Sequence, residues 1–251
     1  MTRIEFEADV FSPHGLTLLV DGSAQSHVDL EDPTRLFFEY LRRIGHVVDA
    51  IALPGAPIAA LHLGGGALTL PRYVDATRSG SMQVVVDHDA ELIEVVRARA
   101  PWPESDIEVR IVDAAEAVRA SAARGERFDL VVVDVYTHLD APAFVDDPDF
   151  LAACLGLLRD DGLVVVNIAD AAGLARLRTS ARAFARADPG AELLAVADTH
   201  VIDGGEEGNT VLVATSGTLP AAIATRLEAG GPFPVTVLAG AKLDFVLWGA
   251  C

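Results

Sequence analysis

Three consecutive glycines, Gly64, Gly65 and Gly66, follow an apolar run at 58–63 and lead into a segment of helical character. Glycine lets the backbone approach a ligand where any Cβ would collide, and such a turn at a strand's carboxyl end opens onto the crevice where α/β sheets hold nucleotides. By itself the turn could equally serve only to join strand to helix. The next apolar run ends in Val86-Asp87-His88-Asp89. A carboxylate at the second strand tip, roughly 20 residues past the glycines, is where ribose hydroxyls are gripped, so Asp87 is the expected ribose ligand. Asp89 fits better as the N-cap of a helix over 90–99. The third run ends at Val112-Asp113-Ala114, where an acid can reach an adenine amino group or cap the following helix. A fourth run brings Asp134 to the same edge.

These residues need a sheet to present them. Apolar runs at 58–63, 83–86, 107–112, 130–133 and 163–168 alternate with helical segments, which predicts parallel strands covered by helices on both faces. Further strands are expected at 193–197 and 210–214, the second able to close the sheet antiparallel. The last segment, 235–248, reads as either a strand or a helix. Upstream, alternating residues at 3–29 broken by Pro13-His14-Gly15 and Asp21-Gly22 predict short strands joined by turns. Asp32-Pro33-Thr34 reads as a helix start, with Leu36, Phe37, Tyr40, Leu41, Ile44 and Val48 at helical spacing. The expected fold class is therefore α/β, a doubly wound Rossmann-like domain over 33–251 with a β-stranded appendage over 1–32. A nicotinamide site would want a third glycine where Thr69 stands, which weighs against a dehydrogenase.

The chain has 251 residues, 51% of them hydrophobic, enough to bury a large core. Its 37 Asp and Glu against 19 Lys and Arg, a net charge of −18, argue against nucleic acid as a partner. Cys154 and Cys251 form no ligand pattern, so neither metal nor disulfide is expected, and the cytoplasm is the expected location. No apolar stretch approaches the length of a membrane span.

Asp21-Gly22 with Gln25, Phe37-Phe38-Glu39, Gly64-Gly65-Gly66, Val85-Val86-Asp87-His88-Asp89, Asp113-Ala114 and Val132-Val133-Asp134 resemble, in order and spacing, the spermidine synthase (polyamine aminopropyltransferase) family. The resemblance covers 16–169 and is closest to the spermidine-synthase-like proteins of high-GC actinobacteria. It implies a β-stranded N-terminal unit before a class I S-adenosylmethionine-type domain, and a homodimer or larger assembly formed through that unit. It implies that Gln25, the glycines, Asp113 and Ala114 contact a nucleoside, that Asp87 stands for a ribose-binding Glu, and that Asp134 holds and deprotonates an attacking amine. The donor implied is decarboxylated S-adenosylmethionine, with a small-molecule amine as acceptor.

The departures fall on substrate-facing positions of both donor and acceptor. Ala67 stands where the family has an Asp that grips the donor's amino group, Thr137 where it has a second loop Asp, and Phe37 and Phe38 where it has Tyr and Gln. A diamine's distal ammonium buried without a carboxylate costs several kcal/mol, so ordinary putrescine is a poor fit. Phe37, Tyr136, Thr137 and His138 are the expected substrate-pocket residues, and Asp140, Asp146 and Asp147 are candidates to replace the missing acid. Two alternatives stay open: a methyltransferase using S-adenosylmethionine itself, and a non-catalytic relative whose pocket has drifted.

Overall fold

The computed structural model describes residues 2–103, 106–135 and 142–249. Alternation at the N-terminus folds into a small sheet of its own, with β1 (Ile4–Ala8), β2 (Gly15–Val20) and β3 (Ser23–Asp29) antiparallel in the order β1-β2-β3. Asp21 and Gly22, at φ 49° and 82°, form its two-residue turn. That is the positive-φ backbone a hairpin matched to strand twist requires.

The helix expected from Asp32 begins only at Glu39, as α1 (Glu39–Ile51). Asp32 spends its side chain on a local turn, accepting from the Thr34 amide at 3.1 Å, while the Leu36 amide bonds the Thr34 carbonyl. A cap turned on its own loop cannot start the helix.

The chain then alternates through β4 (Ala59–Leu63), α2 (Thr69–Thr77), β5 (Met82–Asp87), α3 (Ala90–Arg99), β6 (Ile107–Ile111), α4 (Ala114–Ala123), β7 (Phe128–Val133), α5 (Pro148–Gly156), β8 (Leu158–Asp170), α6 (Ala175–Ala187) and β9 (Glu192–Asp198). It ends with α7 (Thr199–Ile202), β10 (Gly208–Thr215), α8 (Ile223–Gly230), β11 (Val235–Ala239) and α9 (Ala241–Trp248). The segment read as strand or helix thus supplies both. Eight strands lie in the order β11-β9-β10-β8-β7-β4-β5-β6, with β4 to β8 parallel and β10 antiparallel to both its neighbours.

Side-chain alternation shows why both faces are covered. Leu61, Leu63, Val131, Val133, Val164 and Val166 pack with α4, α5 and α6. Ala60, Leu130, Val132, Leu163 and Val165 pack with α1, α2 and α8 on the other face. The path reverses where β5 and β7 flank β4, and at such a switch point the carboxyl ends of the strands open a crevice.

Candidate functional site

The crevice is a cleft of about 910 Å³ whose walls come from β3, the ends of β4 to β8, the start of α1 and the β9–β10 connection. Gly64, φ +100°, lies so close to the next strand that a Cβ there would sit 2.1 Å from the Asp134 carbonyl oxygen. Gly65 has its own reason: its amide donates to Asp87 Oδ2 at 2.9 Å, and a Cβ would come within 3.1 Å of that same oxygen. The turn is thus a cradle that side chains would fill, with Asp87 fastened beneath it.

Asp87 Oδ1 accepts from the Asp89 amide at 2.9 Å, so both its oxygens are positioned by backbone donors. Asp89 caps α3 by accepting from the Leu92 amide at 2.9 Å. Asp113 caps α4, its Oδ1 accepting from the Ala115 and Glu116 amides at 2.9 and 3.1 Å. Its Oδ2 accepts nothing among the described residues, so the capping and ligand readings of Asp113 are compatible on one carboxylate. Gln25 and Ala114 line the same side. Thr69, at the would-be third glycine, is buried and ties α2 to β3, donating to the His27 carbonyl at 2.8 Å and lying 2.9 Å from Ser26 Oγ. This fixes the small sheet as a wall of the cleft. The set of backbone amides, open glycines and a rigidly held carboxylate fits an adenosine moiety.

On the neighbouring strand, Asp134 follows β7. Its Oδ2 accepts from the Tyr40 hydroxyl at 3.1 Å and its Oδ1 from Asn167 Nδ2 at 2.8 Å. Asn167 is fixed in turn by Asn209, whose Nδ2 donates to Asn167 Oδ1 at 3.0 Å. Burial raises the Asp134 pKa above its ordinary value, and the Asn167 and Tyr40 hydrogen bonds only partly offset it. The result is a buried carboxylate oriented on both oxygens, with its backbone packed against Gly64 of the turn.

Several pocket residues differ from the sequence reading. Phe37 does not line the cleft; it is 39% exposed and stacks on His27 at 4.7 Å, because the turn before α1 points it toward β3. Phe38, its neighbour, lines the cleft instead. Asp146 accepts from the Ser180 hydroxyl and Asp147 caps α5 through the Asp149 amide at 3.0 Å, and neither lines the cleft. Tyr136, Thr137, His138 and Asp140 lie outside the described residues. The residues that sequence reasoning missed are Tyr40, Asn167 and Asn209. Tyr40 supplies, from inside α1, a hydroxyl of the kind that Phe37 lacks.

Strand order, the antiparallel β10 and the glycine-and-acid crevice define a Rossmann-like protein of the class I S-adenosylmethionine type. Human methyltransferase-like protein 13, solved with SAH, shares this fold at a TM-score of 0.56 and 20% identity, over 85% of this chain and 90% of that one. The chain is similar in sequence to polyamine aminopropyltransferases and in fold to spermidine synthases. A probable spermidine synthase from Corynebacterium glutamicum superposes with a TM-score of 0.87 at 25% identity, covering 99% of this chain and 91% of the other. A polyamine aminopropyltransferase from Chromobacterium violaceum is 29% identical over 165 residues, 66% of this chain and 60% of that protein. The chain spans between 40% and 60% of the length of the curated relatives it matches. No family model matches it.

Proposed function

We propose that this chain is a transferase that binds a sulfonium nucleoside, decarboxylated S-adenosylmethionine, against Gln25, Gly64, Gly65, Gly66, Asp87, Asp113 and Ala114, and transfers its aminopropyl group to an amine other than putrescine. In this reading residues 1–32 are an appendage whose third strand walls the nucleoside half. The observation that carries it is Asp134, a buried carboxylate oriented from two sides next to the glycine turn. When bound, such a donor supplies a carbon beside a sulfonium, so attack by a neutral amine forms a carbon–nitrogen bond as the carbon–sulfur bond breaks and a neutral thioether leaves.

The protein's own residues align the acceptor and take its proton. An alkylammonium, with a pKa of about 10, must be deprotonated before it can attack. Asp134 hydrogen-bonds the ammonium, shares its proton and holds the nitrogen in line. Tyr40 and Asn167 keep the carboxylate from turning away, and each oxygen retains acceptor capacity for the amine. Their hydrogen bonds favour the ionised form against the burial that raises its pKa. Alignment and general-base catalysis are the two contributions expected of a site whose leaving group is already good.

The test is calorimetric titration of methylthioadenosine, S-adenosylmethionine, S-adenosylhomocysteine and NAD into wild type, Asp87→Ala and Asp134→Asn, with methylthioadenosine release as the activity assay. Micromolar methylthioadenosine binding is expected, lost in Asp87→Ala and kept in Asp134→Asn, whose transfer rate drops by about 10²- to 10⁴-fold. Binding of NAD alone, or full turnover by Asp134→Asn, refutes the reading.

One observation favours a second reading, methyl transfer. Ala67 is fully buried and offers no carboxylate to a donor amine, which removes a reason to prefer the decarboxylated donor. Tighter binding of S-adenosylhomocysteine than of methylthioadenosine would select it.

A further inference from the structure

Buried arginines in this chain usually sit under backbone carbonyls. Arg72 donates to those of Ala67, Ala100 and Pro101. Arg78 places both Nη atoms on four carbonyls, those of Val48, Ala52, Leu53 and Ala56. Arg43 is just as deep, with 2% of its side chain exposed, but has a single partner, the Glu39 carboxylate at 3.1 Å from Nη2. Its Nε is buried without a partner, as is that of Arg78, but unlike Arg78 its Nη1 also donates to nothing among the described residues. Burial lowers the Arg43 pKa, and the nearby Glu39 and Asp198 carboxylates do not restore it. A buried guanidinium with unused donors is costly unless something completes it.

Its position says what completes it. Arg43 lies one helical turn beyond Tyr40, on the same face of α1, and Tyr40 holds Asp134. Arg43 and Asp198 both line the cleft. We infer that the acceptor is an amine that also carries a carboxylate, seated with its nitrogen at Asp134 and its carboxylate on Arg43. This rests on the transferase reading above. A guanidinium fork matches a carboxylate in shape and charge, and a carboxylate on its Nη1–Nη2 edge would use the idle Nη1 and take Nη2 over from Glu39. Glu39, with 54% of its side chain exposed, can give way to the incoming carboxylate and return to water. The distal ammonium of a diamine would instead meet a buried cation, and like charges so placed are disfavoured. Glu206 and Glu207 also line the cleft but are exposed and solvated, where charges act more weakly than at buried Arg43.

The experiment titrates 4-aminobutyrate, 5-aminopentanoate and 1,4-diaminobutane into the protein, alone and saturated with methylthioadenosine, for wild type, Arg43→Leu and Arg43→Lys. At least one aminocarboxylate is expected to bind wild type about tenfold or more tightly than the diamine. Arg43→Leu should abolish that preference, and Arg43→Lys should weaken aminocarboxylate binding by a few-fold without favouring the diamine. Unchanged methylthioadenosine binding shows each variant to be folded. Equal or tighter diamine binding, a preference unchanged in Arg43→Leu, or failure of all three amines to bind overturns the inference. If methylthioadenosine itself does not bind, the nucleoside reading fails, while titration of the protein alone still reports the preference set by Arg43.

Discussion

The two halves of the cleft are held by different means. On the nucleoside side, Asp87 and Asp113 are positioned by backbone amides: Asp89 and the turn glycine Gly65 for the first, the first turn of α4 for the second. On the proposed acceptor side, Asp134 is positioned by side chains, Tyr40 from α1 and Asn167 from β8, with Asn209 from β10 behind them. Backbone amides persist whatever the side chains are, so the first half tolerates sequence change outside its glycines and acids. The second half is a product of particular side chains and can be retuned one residue at a time.

Gly64 is where the halves touch, and Gly64→Ala should have the largest effect. Its Cβ would meet the Asp134 carbonyl from a φ of +100°, and overpacking with backbone strain costs about 2–4 kcal/mol. Urea denaturation should show that loss, with nucleoside binding and transfer failing together, unlike any substitution confined to one half.

The pH dependence of stability sharpens the contrast. His62, on β4 beneath the glycine turn, is held neutral by burial, with its pKa lowered from 6.5 to about 4. The unfolded chain therefore takes up a proton that the folded chain refuses in this window. Stability is full above pH 6.5 and falls by about 3 kcal/mol as the pH drops through it to 4. His62→Gln should flatten that limb in urea melts at pH 7 and pH 5. In the proposed reaction the other half falls off in the same direction but in rate rather than stability, because Asp134 is to act when ionised and that form is lost as pH falls through its raised pKa.

Tyr40→Phe tests that half alone and should have the smallest effect. One hydrogen bond to the ionised carboxylate is removed, so the rate drops by about tenfold and the acid limb moves to higher pH. Methylthioadenosine affinity should not change. A matching loss of nucleoside affinity would show that the two halves are not independent.

The same division decided what could be read from the sequence. The glycine turn and the acids at 87, 113 and 134 stand at strand tips, where local pattern alone places them on one edge. Tyr40 reads locally as part of an apolar helix stripe, and its role depends on a contact 94 residues away. Asn167 and Asn209 are brought together across 42 residues by the pairing of β8 with β10. Arg43 did leave a trace, a charge set among Leu41, Ile44, Val47 and Val48 on the buried side of α1. Phe37 is expected in the pocket because it stands where the resembled family has a Tyr, but the turn before α1 stacks it on His27 instead. Val235–Ala239 is too short a run to separate from the helix that follows it by periodicity alone.

The antiparallel β10 has a consequence for how such a protein can diversify. Because β10 runs back between β8 and β9, residues 199–207 form a bridge between the ends of β9 and β10, and this bridge contributes Val201, Glu206 and Glu207 to the cleft. Recharging its exposed residues Glu206 and Glu207, which precede the β10 pairings, should leave the strand registers and the glycine turn where they are. These two positions are an adjustable rim: the charge facing the cleft can change there at little risk to the scaffold, with the glycine turn carried along unchanged.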